Sequence, residues 1–179
     1  MGDPDAGGRV IPFERDGADI VARFTAAEVE LLRELASQIT ELLSDRAGDA
    51  TGDVLLAQLG IGGSSTPPDD PALARLLPDA YRDDADAASE HRRLTETSLV
   101  DRKIANAATM SQSLGSGSVR LTPDVVQSWL RSLTDLRLVI AARLGIQNDE
   151  DEGVGDPFLQ DVYHWLGYLQ GSMLELLED

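Results

Sequence analysis

Apolar residues recur at helical spacing in several long stretches of this chain, and this pattern constrains the fold more than any other feature. Such stripes occupy residues 25–44, 123–144 and 157–177. Residues 84–112 also have a helical composition, with a weaker apolar face and a predicted break near residues 95–97. Amphipathic helices bury their apolar faces against one another, so the sequence predicts a mainly α fold, a helical bundle of about four main helices.

Capping residues mark where these helices begin and end. Thr25 and Glu28 have the spacing of a capping box, which opens the first helix. Gly145 follows the second stripe and is predicted to end it. Pairs of an N-cap residue and a proline at the first helical position open further helices. They are Asp70-Pro71, which starts a short helical turn, Thr122-Pro123 and Asp156-Pro157.

A short β-hairpin is predicted before the first helix. Two β-like runs, residues 9–14 and 18–23, flank Asp16-Gly17, and an Asp-Gly pair between two such runs is a strong turn signal. Pro12 lacks an amide hydrogen, so the first run is expected at the edge of a sheet. A two-stranded ribbon is marginal alone, and we expect it to pack on the helices.

The remaining segments are interpreted as connections. We expect a disordered tail over residues 1–8 and one domain over residues 9–179. Glycine, serine and proline pairs predict a mobile loop near residues 60–70, and a second, acidic loop is predicted near 147–155. Residues 53–59 are predicted to form a short helical piece, and residues 115–118 a flexible link.

Charge is distributed unevenly along a strongly acidic chain. The net charge is −17, from 15 basic and 32 acidic residues, which excludes a generally basic nucleic-acid binder and argues against binding to anionic membranes. Residues 91–143 nevertheless carry eight bases and four acids, whereas residues 144–179 carry nine acids and no base. Two interpretations follow: the basic block is neutralised inside the fold, which is the favoured one, or it forms a contact patch.

The residue types that most often perform chemistry are scarce. The chain has no cysteine, which excludes disulfides, thiol catalysis and cysteine-based metal sites. His91 and His164 lie far apart and do not have the spacing of a metal-ligand pair. The acidic run over residues 149–152 lacks the pattern of a calcium loop, and no phosphate-binding glycine loop is present. We therefore expect no catalytic residue, no metal site and no cofactor.

One helical segment offers a candidate interaction surface. Its basic residues, with two neighbours before the helix, are here named the basic strip: Tyr81, Arg82, Arg92, Arg93, Arg102 and Lys103. Reversing these charges is expected to weaken binding of a partner protein without unfolding the chain. The alternative is that these residues pair with acidic neighbours in the fold.

Charged and aromatic residues within the apolar stripes are interpreted as structural. Asp135 and Arg137 are two positions apart, so each is expected to pair with another helix rather than with its neighbour. Arg82 and Arg102 are candidate partners for Asp135. Trp129 and Trp165 are expected in the core, with a helix–helix homodimer as the alternative.

Several segments together resemble one family. They are Arg75-Leu-Leu-Pro-Asp-Ala-Tyr-Arg-Asp83, Arg93-Leu-Thr-Glu96, Lys103-Ile-Ala-Asn106, Trp129-Leu-Arg-Ser-Leu-Thr-Asp-Leu-Arg-Leu138, Arg143-Leu-Gly-Ile146 and Val162-Tyr-His-Trp-Leu-Gly-Tyr-Leu-Gln170. The chain resembles an actinobacterial family of unknown function, some of whose members are described as oxidative-stress regulators (the AosR family).

This resemblance implies a cytoplasmic α-helical protein with a role in transcriptional regulation alongside a stress sigma factor. The redox switching proposed for regulators of this kind needs paired cysteines, so that mechanism does not transfer to this chain. We expect a non-enzymatic module with a protein partner, and no direct contact with nucleic acid or membrane. Two alternatives stay open: a ligand-binding or hydrolytic enzyme with a carboxylate-lined pocket, and a self-assembling structural protein.

Overall fold

The computed structural model describes residues 11–49, 63–148 and 151–178, which form five helices and one small sheet. The mainly α class is confirmed. None of the described helices combines the length and the apolar character needed to cross a membrane. In chain order the elements are β1 (Ile11–Asp16), β2 (Asp19–Arg23), α1 (Ala26–Asp49), α2 (Pro71–Leu76), α3 (Ala85–Ser113), β3 (Ser118–Leu121), α4 (Pro123–Arg143) and α5 (Pro157–Glu178).

Helix α4 lies at the centre of the fold. It packs against α1, α2, α3 and α5, and it also contacts β2 and β3. Its apolar stripe is buried along the whole length of the helix, through Trp129, Leu133, Leu136 and Ile140. Gly145 follows the helix with a φ of +71°, the left-handed conformation in which a helix commonly ends.

The predicted capping signals are found at the helix ends. In the capping box before α1, the Thr25 amide donates to Glu28 Oε2 at 2.7 Å and the Glu28 amide donates to Thr25 Oγ1 at 3.3 Å. Asp70 Oδ1 accepts from the amides of Ala72 and Leu73 at 2.7 and 3.2 Å, which caps α2. Thr122 occupies the N-cap position of α4, but its side chain makes no capping hydrogen bond.

Two predicted helix boundaries are wrong. Helix α1 continues to Asp49 instead of ending near residue 44. Helix α3 is uninterrupted, so the predicted break near residues 95–97 does not occur. The Thr95 hydroxyl donates to the His91 carbonyl at 2.8 Å, four residues earlier in the same helix, so this threonine is accommodated within the helix and does not start a new one.

The N-terminal hairpin is confirmed, but it belongs to a larger sheet. The strand order is β1-β2-β3 with both pairs antiparallel, and Pro12 lies in an edge strand as predicted. The third strand was missed, because residues 115–118 were interpreted as a flexible link. Ala22 pairs with Val119 and Ile20 with Leu121, and these four side chains are buried.

An aromatic cluster joins the sheet to the central helix. The Phe24 ring stacks on Trp129 at 5.8 Å between ring centroids, and the Phe13 ring meets Trp129 edge-on at 5.8 Å. Trp129 also donates from Nε1 to Ser113 Oγ at 2.7 Å, so its polar atom is satisfied in the core. The sheet therefore packs on the helices, as its small size requires.

Some predictions fall outside the described residues or stay untested. The tail over residues 1–8 and the helical piece over residues 53–59 lie outside them. Residues 63–70 contain no helix or strand, in agreement with the loop predicted there. The mobility of this loop and of the one near 147–155 stays a prediction.

Gly117 is predicted to be essential to the sheet. Its φ is +106°, and a Cβ at this position would lie 2.4 Å from the carbonyl oxygen of Phe24. We expect Gly117→Ala to lower the free energy of unfolding by about 3 kcal/mol, from backbone strain and from this clash. The matched control is Gly115→Ala, where φ is +49° and nothing lies within 4 Å, with an expected loss of about 1 kcal/mol. Urea unfolding measures both, and equal losses would contradict the prediction.

Candidate functional site

A buried cluster of ion pairs links α1, α3 and the segment after α2. Glu96 accepts from both sides: Arg46 Nε lies 2.8 Å from Oε1, and Arg92 Nη1 lies 2.6 Å from Oε2. Arg92 also donates from Nη2 to Asp79 at 2.7 Å and to the Leu77 carbonyl at 3.0 Å. The side chains of Arg92 and Glu96 are each 5% exposed. This cluster holds α1 and α3 together and ties the chain after α2 to them.

The position of Arg92 corrects the expectation that it belongs to an exposed strip. Residues 92 and 103 are eleven positions apart, which is about three helical turns, so both lie on nearly the same side of α3. That side faces the core. Arg92 is therefore engaged within the fold, and its charge is not available to a partner protein.

Lys103 is likewise engaged within the fold. Its Nζ lies 2.6 Å from Asp135 Oδ1 on α4, and the two side chains are 16% and 7% exposed. The partner of Asp135 is thus Lys103, and the proposed partners Arg82 and Arg102 were wrong. Burial raises the pKa of the Asp135 carboxyl, against the opposing effect of Lys103.

The other four members of the basic strip are at the surface. Arg93 pairs with Glu90 at 2.8 Å on its own helix. Tyr81 is half exposed and meets the His91 ring edge-on at 5.8 Å between centroids. Arg82 and Arg102 are exposed. The structure therefore separates the six residues into an inward pair and four surface residues around it.

Arg137 on α4 reaches across to α5, as predicted for a pairing with another helix. Its Nη1 donates to Gln170 Oε1 at 2.9 Å, and its Nη2 donates to the Tyr163 hydroxyl at 3.3 Å. The guanidinium also lies over the Tyr163 ring, 4.8 Å from the ring centroid. Both of these partners are neutral. In addition, Arg137 forms no ion pair with a carboxylate in the described part of the chain.

The two tryptophans occupy different environments. Trp129 is fully buried, which confirms its place in the core and excludes it from a dimer interface. Trp165 is only partly buried against the core. A homodimer anchored on both tryptophans is therefore wrong for Trp129.

Helix α5 presents aromatic side chains to solvent, a feature that the sequence analysis missed. Phe158 is 59% exposed and Tyr168 is 51% exposed, with Trp165 between them along the helix. These three residues, here named the α5 aromatic face, fall within roughly 80° of the helix circumference. The sequence held a signal for this face, because Phe158 and Tyr168 do not belong to the apolar stripe of α5. That stripe contains the buried residues Val162, Leu166 and Leu169.

A metal site in this chain would need acidic or histidine side chains that lie close together. Across residues 11–49, 63–148 and 151–178, no three acidic or histidine side chains are grouped so as to hold a metal ion. His91 and His164 are both exposed. Part of the acidic run over 149–152 lies outside the described residues, and Asp151 within it accepts a hydrogen bond from the Gln147 amide at 3.0 Å.

Comparison with known proteins places this architecture in a family. A family model described as a domain of unknown function (DUF2017) matches residues 10–177, nearly the whole chain. The chain belongs to the DUF2017 family. The resemblance carried by the six sequence segments is therefore confirmed. No solved structure matches the chain.

Relatives of this DUF2017 chain carry a regulatory name. The oxidative stress regulator AosR of Mycobacterium tuberculosis (strain H37Rv) is 31% identical over 183 residues, covering 91% of this chain and 84% of the relative. The protein of the same name from Mycobacterium bovis has the same identity and coverage. A Mycobacterium leprae relative whose name also contains AosR is 34% identical over 163 residues, covering 80% of this chain and 75% of the relative.

Arg92 and Arg93 are adjacent in sequence and differ in burial, which permits a paired prediction. We expect Arg92→Ala to lower the free energy of unfolding by about 3 kcal/mol, because it removes one partner of a buried ion pair. Arg93→Ala is the matched control and is expected to leave the urea midpoint unchanged, because exposed ion pairs contribute little. A larger loss for Arg93→Ala than for Arg92→Ala would contradict the assignment of Arg92 to the fold.

Removing one partner of the Lys103–Asp135 pair is expected to destabilise the protein more than replacing both residues with apolar ones. Asp135→Ala leaves Lys103 without a counter-ion, and we expect a loss of about 3 kcal/mol in the free energy of unfolding. The double variant Lys103→Met with Asp135→Leu is expected to lie within about 1 kcal/mol of the natural protein. A double variant as unstable as Asp135→Ala would refute this.

The stability that Asp135 contributes to the fold is expected to decrease as the pH rises. Because burial raises the pKa of Asp135 above 3.8, the folded protein holds this proton more tightly than the unfolded chain does. The contribution of Asp135 to stability is therefore greatest below pH 3.8 and decreases as the pH rises through the folded-state pKa. Subtracting the urea stabilities of Asp135→Asn from those of the natural protein across that range measures this decrease.

Proposed function

We propose that this DUF2017 protein is a non-enzymatic regulator that acts in the cytoplasm by binding a protein of the transcription apparatus, a sigma factor or RNA polymerase. The observation that carries the proposal is the α5 aromatic face. Exposed aromatic residues on one side of a helix are typical of surfaces that bind another protein, because they bring large apolar area at a low entropic cost.

The charge around this face favours a basic partner. The block of residues 144–179, which includes all of α5, has nine acids and no base. Asp161 and Glu175 lie at the surface of α5 within the same sector as Tyr168. Opposite charge on the partner would speed the encounter and orient it, and binding would weaken as salt is added.

The names of the relatives agree with a regulatory role. Three mycobacterial relatives carry the AosR name, and none of those names describes an enzymatic reaction. The absence of cysteine in this chain means that a thiol switch cannot control its binding. We therefore infer that the protein acts by binding a partner at its surface and that cysteine oxidation does not control this binding.

The surface members of the basic strip provide a second candidate face. Tyr81 and Leu94 are each 51% exposed, and Arg82 and Arg102 are exposed as well. This face would suit an acidic partner, whereas the α5 aromatic face suits a basic one. The two faces lie on helices that make few or no contacts with each other, so they can be tested separately.

Substitutions in the α5 aromatic face are expected to weaken binding without unfolding the protein. The assay is biolayer interferometry of the whole chain against purified RNA polymerase and sigma factors from the host. We expect Phe158→Ser with Tyr168→Ser to weaken binding at least tenfold, because buried aromatic anchors dominate interface energies. Both side chains are largely exposed, so circular dichroism and the urea midpoint should be unchanged.

The matched control substitutes the second face. Tyr81→Ser with Arg102→Glu is expected to leave this binding unchanged. Loss of binding in the control but not in the α5 variant would move the partner site to the basic strip. Absence of binding to any of these proteins by the natural chain would refute the proposed function, and light scattering would then show whether the α5 aromatic face joins two copies of the chain.

A further inference from the structure

A cavity of about 280 Å³ opens between α2, α4 and α5, on the side of α5 opposite its aromatic face. Two guanidinium groups line it, those of Arg75 on α2 and Arg137 on α4. Tyr163 and Gln170 line the α5 side. No carboxylate lines this cavity among the residues that the structure describes.

Arg137 is held in place by neutral groups. Gln170 accepts from its Nη1 and in turn donates from Nε2 to Thr134 Oγ1 at 2.7 Å, so the amide is fixed on both sides. The Arg137 side chain packs flat against Gly167, where a Cβ would lie 3.4 Å from both Cζ and Nε. Its buried Nε has no hydrogen-bond partner. The cation is therefore rigidly positioned while part of its donor capacity is unused.

This arrangement is unusual within the basic block of the chain. Five of the eight bases in residues 91–143 form ion pairs with carboxylates in the described structure. Of the other three, Arg102 and Arg131 are exposed to water, and only Arg137 is partly buried. A partly buried cation without a counter-ion costs free energy. In a chain with 32 acidic residues, the lack of a carboxylate beside Arg137 in the described part of the chain is not explained by a shortage of acids.

Arg75 brings a second positive charge to the same cavity. It is also partly buried, and its Nη2 donates to the carbonyl of Ile146, another residue that lines the cavity. It forms no ion pair with a described carboxylate. Two guanidinium groups that face one cavity are suited to an oxyanion, because the planar fork matches carboxylate and phosphate geometry.

The geometry points to a binding site for a small organic oxyanion, a carboxylate or a phosphate ester, in this cavity. Its charged group would lie between Arg75 and Arg137, in reach of the Tyr163 hydroxyl. Leu138, Ala141 and Ile146 form an apolar wall, which favours a ligand with an apolar body over an inorganic ion. The net charge of −17 opposes long polyanions, so nucleic acid does not fit this site.

The experiment is calorimetric titration of the whole chain with four probes at constant ionic strength. Phenyl phosphate and benzoate carry both an oxyanion and an apolar body, inorganic phosphate carries only the charge, and phenol carries only the ring. We expect saturable binding of phenyl phosphate, of benzoate, or of both, with at least tenfold weaker binding of inorganic phosphate and none of phenol. The preferred probe distinguishes a phosphate ester from a carboxylate as the ligand class.

Substitutions assign the binding to this cavity. Arg137→Gln and Arg75→Gln are each expected to weaken binding of the preferred probe at least tenfold. Arg137→Lys keeps the charge but loses the planar fork, and an intermediate loss is expected. Arg131→Gln is the matched control, an exposed arginine on the same helix that lines a different cavity, between α3 and α4. It is expected to bind as the natural protein does.

Three outcomes would overturn the proposal. They are no saturable binding of phenyl phosphate or benzoate at probe concentrations up to about 10 mM, unchanged binding in both Arg137→Gln and Arg75→Gln, and equal loss in Arg131→Gln. Circular dichroism of each variant shows whether the chain still folds. If Arg137→Gln fails to fold, Arg75→Gln and Arg137→Lys decide the question.

Discussion

Helix α4 has to fit several neighbours at once, and this requirement organises the rest of the structure. Its apolar stripe packs against α1, α2, α3 and α5 and against the sheet. Apolar packing alone is tolerant of small shifts along or around a helix. Polar contacts are more demanding: Asp135 must meet Lys103 on α3, while Arg137 must meet Gln170 on α5. These two positions, two residues apart, fix how α4 is rotated between its neighbours.

The basic and the acidic blocks of the chain differ in how their charges are paired. Five of the eight bases in residues 91–143 pair with carboxylates of the same chain, Arg92 and Lys103 in the interior and the other three at the surface. This agrees with the favoured interpretation of the charge pattern, in which basic helices lie beside acidic ones. The acidic C-terminal block has no base of its own, and its helix α5 instead meets Arg137 through neutral groups. The described acids of α5 form no ion pair, so their negative charge remains available to attract a partner.

Local signals in the sequence predicted the helices well because the residues that start them act over three or four positions. Thr25 with Glu28 and Asp70 with Pro71 are examples, and the structure shows their capping bonds. Strand β3 was missed because Gly115 and Gly117 have the composition of a linker. Gly117 is there for a different reason, since its backbone approaches Phe24 too closely for a side chain. That contact joins residues 93 positions apart and has no local signature.

The candidate site illustrates the same limit. Arg92 lies on a side of α3 that is buried because α1 and the segment after α2 cover it. Arg46 and Asp79, which complete the ion-pair cluster, come from these two elements. A helical projection of α3 groups Arg92 with Lys103 but does not say whether that side faces solvent or acidic neighbours. Likewise, the absence of a described carboxylate beside Arg137 is visible only when α2, α4 and α5 are assembled around one cavity.

The two faces of α5 connect these observations with function. Tyr163, Gly167 and Gln170 lie on the side of the helix that contacts Arg137, and Phe158, Trp165 and Tyr168 lie on roughly the opposite side. A ligand between Arg75 and Arg137 would touch the inner side of the helix whose outer side carries the aromatic residues. In a chain without cysteine, such a helix offers a physical route by which the binding of a small molecule can alter the binding of a protein, since both would act on the position of α5.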